Sequence, residues 1–254
     1  EGISRFSIHI EDDGGGIEGL AQAIRRTLTI EIECERAVAC VDLAKRQVTT
    51  RDGETIDYHK LVSTMALSSL IDACAKGGDL PAEVAQARAL LRSTTVSHLD
   101  VLAKGSNHDI EGPWDGLGQP HWVYFPERQF PFYRVGSFSA VEPKMTDGDT
   151  RNFYVEIAHR GNRQVENEVD ACIAGLAEAR LIDGVDSVLD VHVEHVPNAY
   201  VLQDPNYQNS RTILLDYLAK HHVLSTGRYG NWEYSVMEDA LIHGRKAAQW
   251  LNDD

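Results

Sequence analysis

The sequence predicts a mixed fold, α/β merging into α+β, with helices and strands in two packed layers. Three observations predict it. Short strand-like periods alternate with helical periods over residues 3–75. Three strand-like runs rich in aromatic residues follow one another between residues 121 and 159, which predicts a mostly antiparallel sheet. Helical periods then dominate residues 209–251.

The first part of the chain begins with an alternating pattern that a glycine cluster, Gly14-Gly15-Gly16, interrupts. Asp52-Gly53 is a typical hairpin turn, so the strands on either side of it are predicted to pair. The apolar run Leu61-Val62 predicts a buried strand. The predicted elements are a strand at 3–10, a helix at 17–28, strands at 30–34, 37–48, 54–58 and 61–64, and a helix at 67–75.

The second part of the chain opens with Pro81, which suits the first turn of a helix. Residues 106–120 are rich in Gly, Asp and Pro and are predicted to form a long surface loop. The predicted elements are a helix at 81–92, strands at 94–104, 121–125, 132–138 and 153–159, a helix at 166–179, a strand at 188–196, and helices at 209–220 and 235–251.

Composition narrows the classes of partner. The chain has 254 residues and a formal net charge of −15, from 39 acidic and 24 basic side chains. Such a surface repels phosphate backbones and anionic lipid, so neither nucleic acid nor a membrane is expected as a partner. A small anionic ligand would have to be bound by arginines placed close to it. No run approaches the roughly 18 apolar residues of a spanning helix.

Cysteine and histidine usage predicts neither a disulfide framework nor a metal site. The four cysteines are far apart and form no CxxC, which is typical of buried thiols in a reducing compartment, so we expect a cytoplasmic protein. Of the 11 histidines, none stands at HExxH or HxxxH spacing, and His192 and His195 face opposite sides of their predicted strand. No GxSxG or reactive cysteine context identifies a catalytic residue.

A GxGxxG pattern at Gly14, Gly16 and Gly19 lies between a strand-like and a helix-like segment. We interpret it as something other than a nucleotide loop, because Glu11-Asp12-Asp13 would place three carboxylates where a pyrophosphate has to bind. It is predicted to be a glycine turn that caps the following helix, or a backbone wall that lines a ligand pocket.

An aromatic cluster follows the predicted loop. On a strand, Trp122 and Tyr124 share one face, and Phe132 shares a face with Arg134. An arginine beside aromatic rings fits a pocket for an anion or nucleotide, because guanidinium pairs with phosphate and stacks on rings. The alternative is an aromatic core with one solvated arginine.

A third cluster covers residues 225–241. Gly227 and Gly230 allow close approach to the backbone, and a helix is predicted to begin just after Tyr234. The free N–H groups of a helix start suit an electron-rich ligand edge, such as the pyrimidine ring of a flavin. The alternative is an ordinary glycine turn before a helix.

Together these segments resemble the FAD-dependent amine oxidase and protoporphyrinogen oxidase-like superfamily, and within it the UDP-galactopyranose mutases. The resemblance covers nearly the whole chain, and its most specific part is GRYGNWEY at 227–234. It is carried by HWVYFPERQFPFYR at 121–134, GRYGNWEY with Met237-Glu238-Asp239-Ala240 after it, the stretch from Asp52 to Met65, and Gly15 to Leu20.

The resemblance implies an incomplete FAD-binding domain of the glutathione-reductase-like type at 1–75 and 206–254. It implies a substrate-binding domain with a mostly antiparallel sheet at 76–205. The family begins with a β-α-β unit that carries the true dinucleotide fingerprint, and nothing from Glu1 onwards corresponds to it. We therefore expect a C-terminal portion of a longer flavoprotein, whose FAD would be bound weakly or not at all by this portion.

The resemblance also implies roles for particular residues. The cofactor-binding set, with Val38 near the adenine and the others facing the isoalloxazine, would be Val38, Gly227, Arg228, Gly230, Met237 and Glu238. The substrate-binding set, with the last three on the diphosphate, would be Trp122, Tyr124, Arg134, Tyr200 and Tyr234. The chain departs from the mutases at Val201, where they have Pro, and after Tyr234, where they have Asn. Both departures concern the substrate rather than the cofactor.

The implied function is that of a flavin-dependent enzyme like UDP-galactopyranose mutase, which binds a nucleotide-sugar or similar anionic substrate against the flavin. One alternative is an FAD-dependent oxidase that acts on an amine or a porphyrinogen-type substrate. Another, of a different class, is a binding or structural fragment without catalytic activity. A small-molecule substrate is the expected partner in the first two cases, and a homo-oligomer is a further expectation.

Overall fold

The computed structural model describes residues 18–105, 121–161 and 163–253. The helices are α1 (Glu18–Arg26), α2 (Leu67–Gly77), α3 (Ala82–Leu90), α4 (Val169–Glu178), α5 (Tyr207–Lys220), α6 (Gly227–Gly230) and α7 (Met237–Asn252). The strands are β1 (Val38–Asp42), β2 (Gln47–Thr50), β3 (Thr55–Asp57), β4 (Leu61–Ser63), β5 (Ser93–Lys104), β6 (Trp122–Tyr124), β7 (Arg134–Gly136), β8 (Thr150–His159), β9 (Val188–Val201) and β10 (Val223–Ser225). Short 3-10 turns lie at Pro143–Met145, Val165–Glu168 and Val185–Ser187.

The strands form three sheets of different kinds. One has the order β1-β2-β3, and both of its pairings are antiparallel. In a second, β10 pairs with β4 in parallel. The third has the order β6-β7-β8-β5-β9, with antiparallel pairing of β6 to β7 and of β7 to β8. The predicted mixture of helices with mostly antiparallel sheet is therefore confirmed.

The hairpin predicted at Asp52-Gly53 is present, since β2 pairs with β3 across it and Gly53 has a φ of 91°. The single strand predicted over 37–48 was wrong. A turn divides it into β1 and β2, because the side chain of Asp42 accepts a 2.9 Å hydrogen bond from the backbone N–H of Lys45 and reverses the chain there. Arg46, with a φ of 56°, completes that turn.

Other predicted elements changed length. Residues 30–34 form no strand, and the strand predicted over 132–138 is reduced to β7, with Phe132 before it packed into the core at 2% exposed. β9 runs on beyond its predicted end to Val201. Gly14, Gly16, the strand predicted at 3–10 and the loop predicted at 106–120 lie outside the described residues, whereas Gly19 belongs to α1.

The chain divides into two compact units. Unit 1 comprises Glu1–Ile32 and Val96–Val196, and unit 2 comprises Glu33–Thr95 and Pro197–Asp254. Each has its own hydrophobic core. The prediction that residues 1–75 and 206–254 bind the cofactor, and residues 76–205 the substrate, stays a prediction.

The core of unit 1 lies between its large sheet and α4. Val155 and Ile157 of β8 and Leu176 of α4 are almost completely buried in it. Three phenylalanine rings, Phe125, Phe130 and Phe132, pack against one another with centroids 5.0–5.3 Å apart. Contacts at such distances stabilise aromatic clusters beyond the area they bury.

The core of unit 2 forms where α2 packs on β1. Leu67, Leu70 and Ile71 of α2 have no exposed surface, and full burial of such a side chain is worth about 1.5–3 kcal/mol. α2 approaches β1 so closely that a Cβ atom on Gly77 would lie 2.3 Å from the carbonyl oxygen of Val41. The last turn of α2 therefore depends on a residue without a side chain.

The cysteines allow a first test. Burial raises the pKa of Cys74 and of Cys172 to about 12, so about one thiol in ten thousand is ionised at pH 8. We expect Ellman's reagent to modify exposed Cys34 promptly in the native chain at pH 8, and Cys74 and Cys172 only after unfolding in guanidinium. Rapid reaction of all the thiols in the native chain would contradict the packing of α2 and α4.

Candidate functional site

The segment that resembles the flavin-facing motif follows the parallel pair of strands in unit 2. Ser225 of β10 lies opposite Ser63 of β4, and the next residue, Thr226, donates its N–H to the carbonyl of Ser63 at 2.9 Å. Helix α6 begins immediately afterwards, at Gly227. The segment therefore leaves the sheet at the carboxyl ends of two parallel strands, the edge at which open α/β sheets bind ligands.

Two glycines determine the shape of this turn. Gly227 has a φ of +77°, a conformation that side chains disfavour. A Cβ atom on Gly230 would lie 3.0 Å from the carbonyl oxygen of Ser63 and 3.1 Å from Oγ of Ser225. Ser225 also donates its hydroxyl to the carbonyl of Gly230 at 2.8 Å. The backbone is thus held against β4 and β10, with Gly230 buried against them and Gly227 partly exposed.

A polar network on the far side of the turn supports it. Arg211 of α5 donates to the carbonyl of Asn231 and lies 3.2 Å from the carboxylate of Glu233. The backbone N–H of Glu233 donates to the carbonyl of Arg228 at 3.1 Å. Trp232 is 1% exposed, with a φ of 52°. These contacts hold the backbone around Arg228 in one conformation.

Arg228 lies beside a pair of stacked tyrosine rings and contacts both. Its Cζ is 5.3 Å from the ring centroid of Tyr200 and 4.9 Å from that of Tyr234. The rings are near parallel, with centroids 6.2 Å apart. Arg228 donates from Nη1 to the carbonyl of Ser235 at 2.7 Å and from Nη2 to the carbonyl of Ala199 at 3.0 Å. β9, α6 and the start of α7 thus contribute to one cluster, Tyr200–Arg228–Tyr234.

The cluster carries a positive charge without a carboxylate partner. Within residues 18–105, 121–161 and 163–253, no carboxylate lies at salt-bridge distance from Arg228. Two carbonyls and two ring faces stabilise the guanidinium instead, and the fork keeps N–H donors beyond the two that they use. Tyr234 is 65% exposed, so one side of the cluster is open. In a chain of net charge −15, the cluster is a local positive charge.

The start of α7 borders the same cluster. The helix begins at Met237, which is 49% exposed, and Glu238 is exposed beside it. Asp239 accepts the N–H of Val236 at 2.9 Å, so one donor of the helix start is already used. Because carboxylates occupy the first turn, this helix end suits an uncharged ligand edge better than an anion.

The other predicted arginine, Arg134, has a different environment in unit 1. Its Nε donates to Glu156 Oε2 at 2.7 Å, its Nη2 contacts Oε1, and Tyr133 donates to the same carboxylate at 2.6 Å. Cζ of Arg134 lies 5.9 Å from the ring centroids of Tyr124, Tyr133 and Tyr154. Burial lowers the pKa of Arg134, but the hydrogen bonds and charge of Glu156 outweigh it and raise the pKa above the ordinary value. The charge of Arg134 is thus neutralised within the sheet.

The remaining predicted residues belong to different units. Trp122 and Tyr124 are 51% and 58% exposed on β6, at the edge of the large sheet of unit 1. Val38, at the start of β1, packs against the core of unit 2. Sequence reasoning missed Glu156 and the supporting pair of Arg211 with Glu233. The strand predicted at 153–159 contains Glu156, but only the pairing register places it opposite Arg134.

Two other kinds of site are absent from the described part of the chain. There, no group of three or more His, Cys, Asp and Glu side chains is arranged to hold a metal ion. No helix in the same ranges combines the length and apolar character needed to cross a bilayer.

Comparison with known proteins bears on the fold. No family model matches the chain. Among solved structures, a reduced UDP-galactopyranose mutase superposes over 85% of this chain with a TM-score of 0.73 and 21% identity. The chain has the fold of about half of that mutase. An Exiguobacterium protein assigned as a protoporphyrinogen oxidase matches 94% of this chain with a TM-score of 0.68 and 12% identity. A fatty acid isomerase from P. acnes that produces conjugated linoleic acid matches 93% with a TM-score of 0.62 and 10% identity.

The match covers part of each of these proteins. The chain corresponds to 46% of the mutase and to 52% of each of the other two chains. It therefore spans about half the length of the structures it resembles. At these identities the likeness concerns the fold.

Proposed function

We propose that this chain is part of a flavin-dependent enzyme related to UDP-galactopyranose mutase, in which Tyr200, Arg228 and Tyr234 bind the diphosphate of a nucleotide-sugar. The observation that carries the proposal is Arg228, a cation with no carboxylate partner in the described residues, held beside two stacked tyrosines on a glycine turn. The fold supports the proposal, because a UDP-galactopyranose mutase and a protein assigned as a protoporphyrinogen oxidase share it over about half of their lengths.

The chemistry of the cluster favours a diphosphate. Guanidinium pairs strongly with phosphate oxygens and remains charged at every physiological pH. The phenolic hydroxyls of Tyr200 and Tyr234 supply further hydrogen-bond donors in the same cluster. Arg134 is less suited to this role than the resemblance implied, because a ligand would have to displace Glu156.

FAD is proposed for the full-length protein, with unit 2 contributing the remainder of a glutathione-reductase-like FAD-binding domain. The residues present fit a flat ring system at Gly227, where the backbone next to Thr64 carries no side chain. Val38 is proposed to lie near the adenine, and Met237 and Glu238 near the isoalloxazine. Bound FAD would supply an electron-rich ring, while Arg228 and its tyrosines would hold the substrate beside it and orient it.

An oxidase that acts on an apolar substrate is a second candidate. It is favoured by apolar side chains that are about half exposed at the start of α7, namely Val236, Met237 and Leu241. Such a surface next to the glycine turn suits a porphyrinogen or amine with apolar substituents. It leaves the charge of Arg228 without a partner in the substrate, which is why the mutase-like function is preferred.

The two candidates differ in their response to UDP. We expect 1 mM UDP to raise the melting temperature of the full-length, FAD-loaded protein, because a ligand at a hundred times its Kd stabilises the native state by about 2.7 kcal/mol. Differential scanning fluorimetry measures this, with uridine at the same concentration as the control without phosphates. No shift with UDP, or an equal shift with uridine, would exclude the diphosphate site.

A further inference from the structure

A chain of hydrogen-bonded side chains crosses three neighbouring strands of unit 1. Oγ of Ser97, on β5, lies 2.8 Å from Nε2 of His159 on β8 and 2.6 Å from Nδ1 of His195 on β9. On the outer side, Nε2 of His195 is 2.9 Å from Oε1 of Glu166, and Nδ1 of His159 is 3.2 Å from the carbonyl oxygen of Gly161. Ser97 has no exposed surface, whereas the side chain of His195 is 42% exposed.

The number of hydrogens available for these contacts decides how many protons the two histidines hold. The carboxylate of Glu166 and the carbonyl of Gly161 are acceptors, so each histidine has to donate outward. A neutral imidazole has a single N–H and would then turn a lone pair towards Ser97. One hydroxyl hydrogen cannot serve two lone pairs, so two neutral histidines leave one of these short contacts without a hydrogen.

One additional proton satisfies every contact. If either His159 or His195 is doubly protonated, it donates to Oγ of Ser97, and the hydroxyl donates to the other ring. If both are doubly protonated, the hydroxyl hydrogen has no acceptor among the described residues. An unpaired buried polar group destabilises the folded state. The arrangement therefore selects the state with one extra proton.

We propose that Ser97, His159 and His195 form a shared-proton site, in which Ser97 passes one extra proton between the two histidines. Starting from doubly protonated His195, the hydroxyl proton of Ser97 moves to Nε2 of His159 as the Nδ1 proton of His195 moves to Oγ. One O–H bond and one N–H bond break, and one of each forms. The hydroxyl is restored and no redox partner is needed.

Neighbouring charges place the proton preferentially on His195. Glu166 is its direct partner, and the hydrogen bond from His195 lowers the pKa of Glu166. The carboxylate that acts on His159 is Glu168, but it is paired with Arg163, whose hydrogen bond is the main cause of its lowered pKa. His195 thus faces an uncompensated negative charge and His159 a compensated one.

Arg151 of β8 shares the face of His159 and pairs with Asp183, whereas the other ionisable groups of these strands lie on the opposite sheet face, because successive residues of a strand alternate. There, Nε2 of His98 lies 3.5 Å from Asp100 and 3.3 Å from Glu194. The serine-histidine-carboxylate order also resembles a hydrolytic triad, but completely buried Ser97 cannot reach a substrate. The site acts on protons alone.

The proposal implies that the attachment of the connection between β8 and α4 to the sheet depends on pH. Gly161 and Glu166 both belong to the connection between β8 and α4, and the shared-proton site ties this connection to β5 and β9. Raising the pH removes the extra proton and leaves one contact without a hydrogen. Lowering the pH adds a second proton and then protonates Glu166, whose contribution to stability is lost as the pH falls through its lowered pKa. The connection is held most firmly at intermediate pH.

The shared-proton site can be tested by removing the charge of Glu166 and observing whether the protonation of His159 rises or falls. Nitrogen-15 NMR of histidine-labelled chain reports the protonation of each ring as a function of pH. Within the pH range in which the pair holds one proton, we expect Glu166→Gln to increase the protonated fraction of His159 severalfold, because the proton leaves His195 for the other ring. Two independent histidines would show the reverse, since loss of a negative charge weakens proton binding at both.

Two further variants complete the test. Asp190→Asn removes an exposed carboxylate from β9 and is expected to leave the distribution of the proton unchanged. Ser97→Ala removes the connecting hydroxyl, so adding Glu166→Gln to it should no longer raise the protonation of His159. If Ser97→Ala does not fold, the comparison of Glu166→Gln with Asp190→Asn decides alone. A protonated fraction of His159 that falls or stays constant in Glu166→Gln would overturn the proposal.

Discussion

Gly77→Ala is expected to destabilise the protein by about 3 kcal/mol or more, the cost of forcing atoms into a packed site. The added Cβ would lie 2.3 Å from the carbonyl oxygen of Val41 and 2.8 Å from Cα of Asp42. Both are backbone atoms of β1, which its hydrogen bonds to β2 prevent from moving aside. The expected loss opposes helix propensity, which by itself would favour alanine at the end of α2 by about 0.5–1 kcal/mol.

The next residue is a matched control. Gly78 has a φ of 174°, which any residue adopts, and a Cβ there would meet no atom within 4 Å. Gly78→Ala should therefore change the free energy of unfolding by less than about 1 kcal/mol. Urea denaturation followed by circular dichroism measures both. If the two variants unfold at the same urea concentration, α2 does not pack on β1 at the distance described.

The second large effect concerns ligand binding at Arg228. We expect Arg228→Met to weaken UDP binding to the full-length protein about a hundredfold, or by about 2.8 kcal/mol. The variant loses the charge that pairs with phosphate and also removes the cation that contacts the rings of Tyr200 and Tyr234. Isothermal titration calorimetry measures the affinity. Unchanged UDP affinity in this variant would mean that the diphosphate binds elsewhere, with Arg134 the next residue to test.

Two control variants separate charge from geometry. Arg245→Met removes a positive charge from an exposed position on α7, and we expect it to leave UDP affinity within about twofold. Arg228→Lys keeps the charge but cannot donate to the carbonyls of Ser235 and Ala199 as a planar fork does. It should therefore recover only part of the affinity. Thermal unfolding without ligand shows whether either Arg228 variant has lost its fold.

Local patterns predicted much of the fold. The Asp52-Gly53 hairpin and helices α2, α4, α5 and α7 are present close to the predicted bounds. Their signals lie within a few consecutive residues, because hydrophobic period and turn chemistry act over short range. The errors arose where a short local signal was misleading. Lys45-Arg46 was included in a strand, although Asp42 turns the chain there.

The sequence predicted individual residues of the candidate site but not the contacts between them. Tyr200, Arg228 and Tyr234 were each expected to bind cofactor or substrate, but nothing in the sequence indicates that the arginine contacts both rings. Arg134 was expected to meet phosphate, and its pairing with Glu156 depends on the register of β7 against β8. A residue's nearest charge is set by strand pairing, and pairing joins residues far apart in sequence.

The sequence by itself therefore determined the mixed class of fold and the glycine turn at Gly227 and Gly230. Only the tertiary structure decided which arginine keeps its charge available. Arg134 and Arg228 both have aromatic neighbours, but β8 brings a carboxylate to the first, whereas the second meets only carbonyls and rings in the described chain. The physical reason is that guanidinium chemistry is a property of the residue, while its partners are a property of the packing.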